Sequence, residues 1–163
     1  MNTRILKYLL MGCLIILLLL MVNRILYLTE PRVMEYPTAG PSKIALLDAI
    51  ARHKNGEIPN VDLSTITTFP WDRLYVFESY TQPSEIAPVV GRSWRKSCYT
   101  TIHTSEGLAL LVFTNNGQAV DCIEIPRKIA DFVPLWEYEM GFSREEARFI
   151  VDERGQIIWV GNK

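Results

Sequence analysis

Leu108-Ala109-Leu110-Leu111-Val112-Phe113-Thr114-Asn115-Asn116-Gly117-Gln118-Ala119-Val120-Asp121-Cys122-Ile123-Glu124-Ile125 reads as two strands joined by a tight turn. Residues 108–114 are almost wholly apolar, which places the first strand inside a sheet with a helix over at least one face. Asn115-Asn116-Gly117 supplies residue types that accept positive φ, as a hairpin turn requires. Upstream, residues 94–104 alternate loosely and are expected to form the third strand of an antiparallel meander. Trp71-Asp72-Arg73-Leu74-Tyr75-Val76-Phe77 has the aromatic and β-branched content of a further strand. Leu74 and Val76 fall on one of its faces and Tyr75 and Phe77 on the other, so this strand too belongs inside a sheet.

Helices frame these strands. Ser42 is the expected N-cap of an amphipathic helix over residues 43–54, in which Ile44, Leu47 and Ala51 with Leu46 and Ile50 recur at three- and four-residue spacing before Asn55-Gly56. Asp48 and Arg52 form an i,i+4 pair on its wet side, and His53 suits the C-terminal end of the helix dipole. Thr81, Pro83 and Glu85 open a short helix that Pro88 weakens and Gly91 ends. Residues 148–151 and 157–160, joined by Asp152-Glu153-Arg154-Gly155, read as a final hairpin. The expected class is α+β, one small domain with an antiparallel sheet and two or three helices.

A different physics governs the leading segment. Residues 8–22 are uncharged and apolar between Arg4 and Lys7 on one side and Arg24 on the other. Counted from Ile5 with the flanking cations snorkelling, the run covers the roughly 20 residues that a bilayer-spanning helix needs. No small-x-small cleavage site follows it, and Gly12-Cys13 precedes most of the apolar run, where a lipidated cysteine would follow it. The expected layout is a signal-anchor transmembrane helix over residues 1–28, a spacer over 29–41 and a domain over 42–163. Arg4, Lys7 and the amino terminus against Arg24 and Arg32 orient the N-terminus to the cytoplasm and the domain to the far side of the plasma or inner membrane, a periplasm-like space.

From Tyr36 onward there are 13 Lys+Arg against 16 Asp+Glu, a formal charge of −3. That balance disfavours nucleic-acid binding. Arg92, Arg95 and Lys96 form the one basic knot, read as a solvated loop or as a site for lipid phosphates or acidic partners. Cys98 and Cys122 are the thiols outside the apolar run, and an even pair in an oxidising compartment suggests a disulfide. Two buried small hydrophobes are the alternative: on strands separated by a third strand they would stand about 9–10 Å apart, too far to bridge.

Two histidines restrict the chemistry. Neither a zinc CxxC pair nor HExxH occurs, and Cys98 and His103 at odd spacing would point to opposite faces of a strand, so no metal or other cofactor is expected. Ser93 lacks the Gly-x-Ser-x-Gly frame of a nucleophile elbow. Glu137 and Glu139, interleaved with Trp136 and Tyr138, have the carboxylate pairing of carbohydrate-cleaving sites or of a plain exposed edge. Asp72 between Trp71 and Arg73 is the expected buried charge, partnered by Arg73 or by backbone amides.

Phe69-Pro70-Trp71-Asp72-Arg73-Leu74-Tyr75-Val76-Phe77, followed by Tyr80-Thr81, Glu85-Ile86 and Gly91, resembles a loose group of bacterial membrane-anchored or lipoprotein-like small α+β domains. Leu111-Val112-Phe113, Asn116-Gly117 and Ile125-Pro126-Arg127 fit the same pattern, over roughly residues 63–132. The resemblance implies a cell-envelope location and no particular catalysis. The expected function is non-enzymatic: binding of another envelope protein, as assembly factors and toxin-immunity proteins do. Trp94, Trp136 and Tyr138 with Arg92, Arg95, Glu137 and Glu139 are the interaction candidates. The alternatives are a cell-wall glycan hydrolase using Glu137 and Glu139 or Asp121 and Glu124, and a small structural subunit of an envelope complex packing through Gly12 or Cys13.

Overall fold

The computed structural model describes residues 15–18, 20–21, 40–92 and 94–161. The chain divides into two units, Met1–Glu35 and Tyr36–Lys163. In the first, residues 15–18 and 20–21 are helical, and Ile15, Ile16, Leu17, Leu18, Leu20 and Met21 are all exposed. Among the described residues no helix is long and apolar enough to cross a membrane. The rest of the expected anchor over 1–28, Cys13, the spacer up to residue 39 and Ser93 lie outside the described residues.

The second unit is α+β with two antiparallel sheets, where the sequence led us to expect one. Its elements run α1 (Pro41–Lys54), β1 (Val61–Asp62), α2 (Leu63–Ile66), β2 (Arg73–Phe77), α3 (Pro83–Val90), β3 (Leu108–Asn115), β4 (Gln118–Pro126), β5 (Phe142–Ser143), β6 (Arg148–Val151) and β7 (Ile157–Trp159). The larger sheet has the order β4-β3-β2-β5 and the smaller one β1-β6-β7. The β3–β4 hairpin turns at Asn116 and Gly117, with φ of 52° and 71°. Its register slips between Phe113 and Thr114, leaving Val120 as the extra residue of a bulge.

The third strand of the expected meander is Arg73–Phe77, not residues 94–104. That stretch instead makes two 3-10 turns, Trp94–Lys96 and Ile102–Thr104. Its loose alternation buries Trp94, Cys98 and Ile102, a spacing of four that suits turns over a sheet better than the two-residue pleat. The larger sheet separates two cores. Leu74, Val76, Ala109, Leu111, Phe113, Ile123 and Ile125 pack on one face with α1 and the smaller sheet. Phe77, Leu110 and Val112 pack on the other with Ile86 and Val90 of α3, Trp94 and Ile102. Every second residue of β2 and β3 therefore enters the same core, which is why both strands lack a polar face.

Local corrections follow from packing. Helix α1 begins at Pro41 behind Gly40 and has no side-chain cap, because Ser42 is itself buried inside the first turn. Its buried stripe is Ser42, Leu46, Ala49 and Ile50, with Ile44 and Ala51 exposed. Arg52 turns from Asp48 to Glu57, at 3.4 Å. Asp72 is exposed rather than buried: its carboxylate accepts from the Asn116 backbone N–H at 2.6 Å and the Thr114 hydroxyl at 3.1 Å, stapling the hairpin turn to β2. Arg73 reaches the Met140 carbonyl instead, at 2.9 Å. Helix α3 carries a capping box between Gln82 and Glu85 and ends at Gly91, φ 89°.

Candidate functional site

Residues 136–140 leave the second unit as a knuckle of exposed aromatic and acidic side chains. The chain enters it through the 3-10 turn Val133–Leu135, whose start is fixed by Asp131. That carboxylate accepts from the Val133 N–H at 3.1 Å and takes both Arg127 donors at 3.0 Å, a fork geometry that raises the Arg127 pKa further above its ordinary value. Successive N–H groups then close tight turns: Trp136 to Val133 at 2.9 Å, Tyr138 to Leu135 at 3.2 Å and Gly141 to Tyr138 at 2.8 Å. The exit is pinned by Arg73 on the Met140 carbonyl and by Gly141, whose φ of 63° brings the chain directly against β2. Beyond it, Phe142 pairs with Leu74.

Side chains stiffen the same knuckle. Trp136 lies 6.3 Å from Phe77, and Tyr138 lies 5.0 Å from Phe142 and 5.4 Å from Trp159. Each ring packs one side inward and presents the other, Trp136 being 40% and Tyr138 45% exposed, while the Met140 side chain stands 75% exposed beside them. Glu137 and Glu139 stand exposed between them. They lie in a turn among half-exposed aromatic rings, and the arrangement offers a preordered apolar surface fringed by negative charge. Surfaces of this kind supply the aromatic anchors of protein interfaces at small ordering cost.

The remaining sequence candidates separate. Trp94 is 2% exposed and serves the second core, which removes it as a contact residue. Arg92 and Arg95 are exposed, and Arg95 lies over the Trp94 ring at 5.9 Å. The aromatic run before β2 packs inward: Phe69 and Trp71 meet Phe113 edge-on at 5.4 and 5.1 Å, and the Trp71 indole donates to Thr67 at 2.6 Å. No family model, curated protein or solved structure matches the chain. Met140 and Gly141 escaped the sequence reading; an apolar residue and a glycine closing an aromatic-acidic run were the available signal.

A second concave region lies beside β4, an edge strand of the larger sheet. About 350 Å³ is lined by Ser42, Lys43, Tyr99, Asp121, Cys122 and Glu124, among others. Asp121 accepts from the Cys122 N–H at 2.9 Å, occupying an edge donor with a side chain and so blunting the strand against pairing. Burial raises its pKa, partly offset by the Cys122 N–H and the Ser42 hydroxyl. Through Ser42 this carboxylate reaches the start of the uncapped α1. Glu124 accepts from the Thr100 hydroxyl at 2.6 Å and the Thr101 N–H at 2.7 Å. Both carboxylates thus have structural partners. Among the described residues no three His, Cys, Asp or Glu side chains converge on a metal position.

The thiols are also here. Cys98 is buried and Cys122 half-buried, both unbridged. The distance expected from two strands flanking a third does not apply, because residues 97–101 form no strand and run beside β4. Cys98 belongs to the second core and Cys122 packs against that core; hydrogen bonding to Cys98, then burial, then the charges of Cys98, Asp121 and Glu124 push the Cys122 thiol far above its ordinary range.

Proposed function

We propose that the chain is a membrane-tethered, extracytoplasmic protein-binding module that engages an envelope partner through residues 136–140. The observation that carries this reading is the knuckle itself, where Trp136 and Tyr138 are exposed yet held by ring contacts and backbone hydrogen bonds, beside an exposed Met140 whose carbonyl is held by Arg73. Glu137 and Glu139 on its rim favour a partner that offers basic side chains around an apolar centre. The exposed helical residues of the first unit support the tether. Consecutive helical residues turn by about 100°, so four in a row point around the whole circumference. Exposed Ile15, Ile16, Leu17 and Leu18 therefore leave no sheltered face. Moving such side chains from water into hydrocarbon gains about 1.5–3 kcal/mol each.

Site-specific photocrosslinking in native membranes tests the reading. A photoreactive residue replacing Met140 should give one discrete protein adduct, whereas the same group replacing Glu153, exposed in the β6–β7 turn, should not. Adducts of equal yield from both positions, or adducts with lipid alone, would remove the knuckle as an interface.

A further inference from the structure

We propose that Cys98 and Cys122 form an intramolecular disulfide that fastens residues 97–101 to the edge of the larger sheet. The segment is already aligned for it. Cys98 leaves the turn Trp94–Lys96 with its N–H bonded to the Trp94 carbonyl at 2.9 Å, and its side chain enters the second core, against which Cys122 packs. Two positions further along β4, Glu124 holds Thr100 and Thr101. Cys98 and Cys122 thus share one core while Thr100 and Thr101 are held by Glu124, so the segment and the strand meet at two neighbouring levels. Ser97, Tyr99 and Cys122 line the same cavity, so Cys122 borders space that a small oxidant can enter.

Closure shortens a thiol contact to a bond of about 2.05 Å. Residues 98–101 have no regular secondary structure to resist that approach. The oxidant required is a disulfide donor. Cys122 loses its proton and attacks one donor sulfur, releasing one donor thiolate and forming a mixed disulfide. Cys98 then loses its proton, attacks the Cys122 sulfur and expels the second donor thiolate. Two electrons pass to the donor, which leaves as two thiols once it takes up the two protons. Because Cys98, burial and two carboxylates disfavour the Cys122 thiolate, attack on the donor is slow while the protein is folded. These properties describe a structural cross-link rather than a catalytic dithiol.

The test uses the purified full-length protein in detergent, equilibrated with graded ratios of oxidised to reduced glutathione, acid-quenched, denatured, alkylated and digested with trypsin. Both cysteines fall in one tryptic peptide, residues 97–127, which has no internal Lys or Arg. With rising oxidant this peptide should lose both alkyl groups and become about 2 Da lighter than the dithiol. The thermal midpoint of the oxidised protein should exceed that of the reduced protein by about 10 °C, and a Cys98→Ala/Cys122→Ala variant should show no redox-dependent shift. The proposal is overturned if both cysteines stay alkylated at every ratio. Pairing with Cys13 or between chains, or closure without a rise in midpoint, would overturn it as well. The outcome is independent of the compartment and of the knuckle's partner.

Discussion

Replacing Gly141 with alanine should destabilise the second unit far more than the same change at Gly56. Both glycines have positive φ, 63° and 75°, so an L side chain meets the left-handed penalty of about 1–2 kcal/mol at either site. They differ in what a β-carbon would touch. At Gly56 nothing lies within 4 Å, whereas at Gly141 the new atom would sit 2.6 Å from the Leu74 carbonyl oxygen and 2.9 Å from the Tyr75 ring. Leu74 lies on β2, an inner strand hydrogen-bonded to β3 and β5, so its carbonyl cannot step aside. Relieving that overlap requires moving the chain away from the sheet, at a further cost of about 1–3 kcal/mol. We therefore expect Gly141→Ala to lose roughly 3 kcal/mol and about 10 °C in thermal midpoint, and Gly56→Ala about 1 kcal/mol. Chemical denaturation of the two variants beside the parent chain measures both values. Equal losses would refute the close approach of residue 141 to β2, and with it the pinning of the knuckle.

Other outcomes follow from the same geometry. Glu124→Ala removes the acceptor for Thr100 and Thr101 and should cost about 1–3 kcal/mol, with faster hydrogen exchange at the Thr101 amide as the local signature. Two carboxylates should show opposite pH dependence. The Asp121 pKa is raised above 3.8, so its contribution is complete below that value and lost as pH rises through the folded-state pKa; Asp121→Asn should raise the midpoint near pH 7 and leave it unchanged at about pH 3. The Glu146 pKa is lowered from 4.5 by the Ser143 N–H, so its contribution is present above 4.5 and lost as pH falls through the folded-state pKa. Glu146→Gln should lower the midpoint near pH 7 and have no effect at about pH 2. Thermal scans across pH check both signs.

Much of the architecture was legible where one periodicity dominated. The β3–β4 hairpin, the two-faced β2 strand, the short Pro-opened helix and the final hairpin all follow from alternation and turn chemistry over a few residues. Residues 94–104 were misread because burial every fourth residue, at Trp94, Cys98 and Ile102, resembles a broken alternation when the sheet beneath is unknown. The second sheet escaped because β1 is two residues long and pairs with a strand far away in sequence, Val61 with Phe149 and Asp62 with Arg148. For the site, Trp136, Glu137, Tyr138 and Glu139 were legible as an aromatic-acidic run. Trp94 was not separable from them, since an aromatic residue beside cations reads alike whether it turns inward or outward. For Cys98 and Cys122 the sequence left both a bridge and two separate buried thiols open, because their separation depends on a tertiary crossing that no local pattern encodes.

The most direct measurement is the yield of the adduct from a photoreactive residue at position 140 in native membranes, compared between the parent chain and Trp136→Ala. Trp136 packs one side on Phe77 and presents the other, so its truncation should keep the unit folded by circular dichroism while removing a central anchor of the interface, and a photoreactive residue at position 153 in the same variant serves as the control. The account predicts that the discrete adduct falls by about tenfold or more, the equivalent of a lost contact of about 1.4 kcal/mol. An unchanged adduct in a folded Trp136→Ala protein would contradict it.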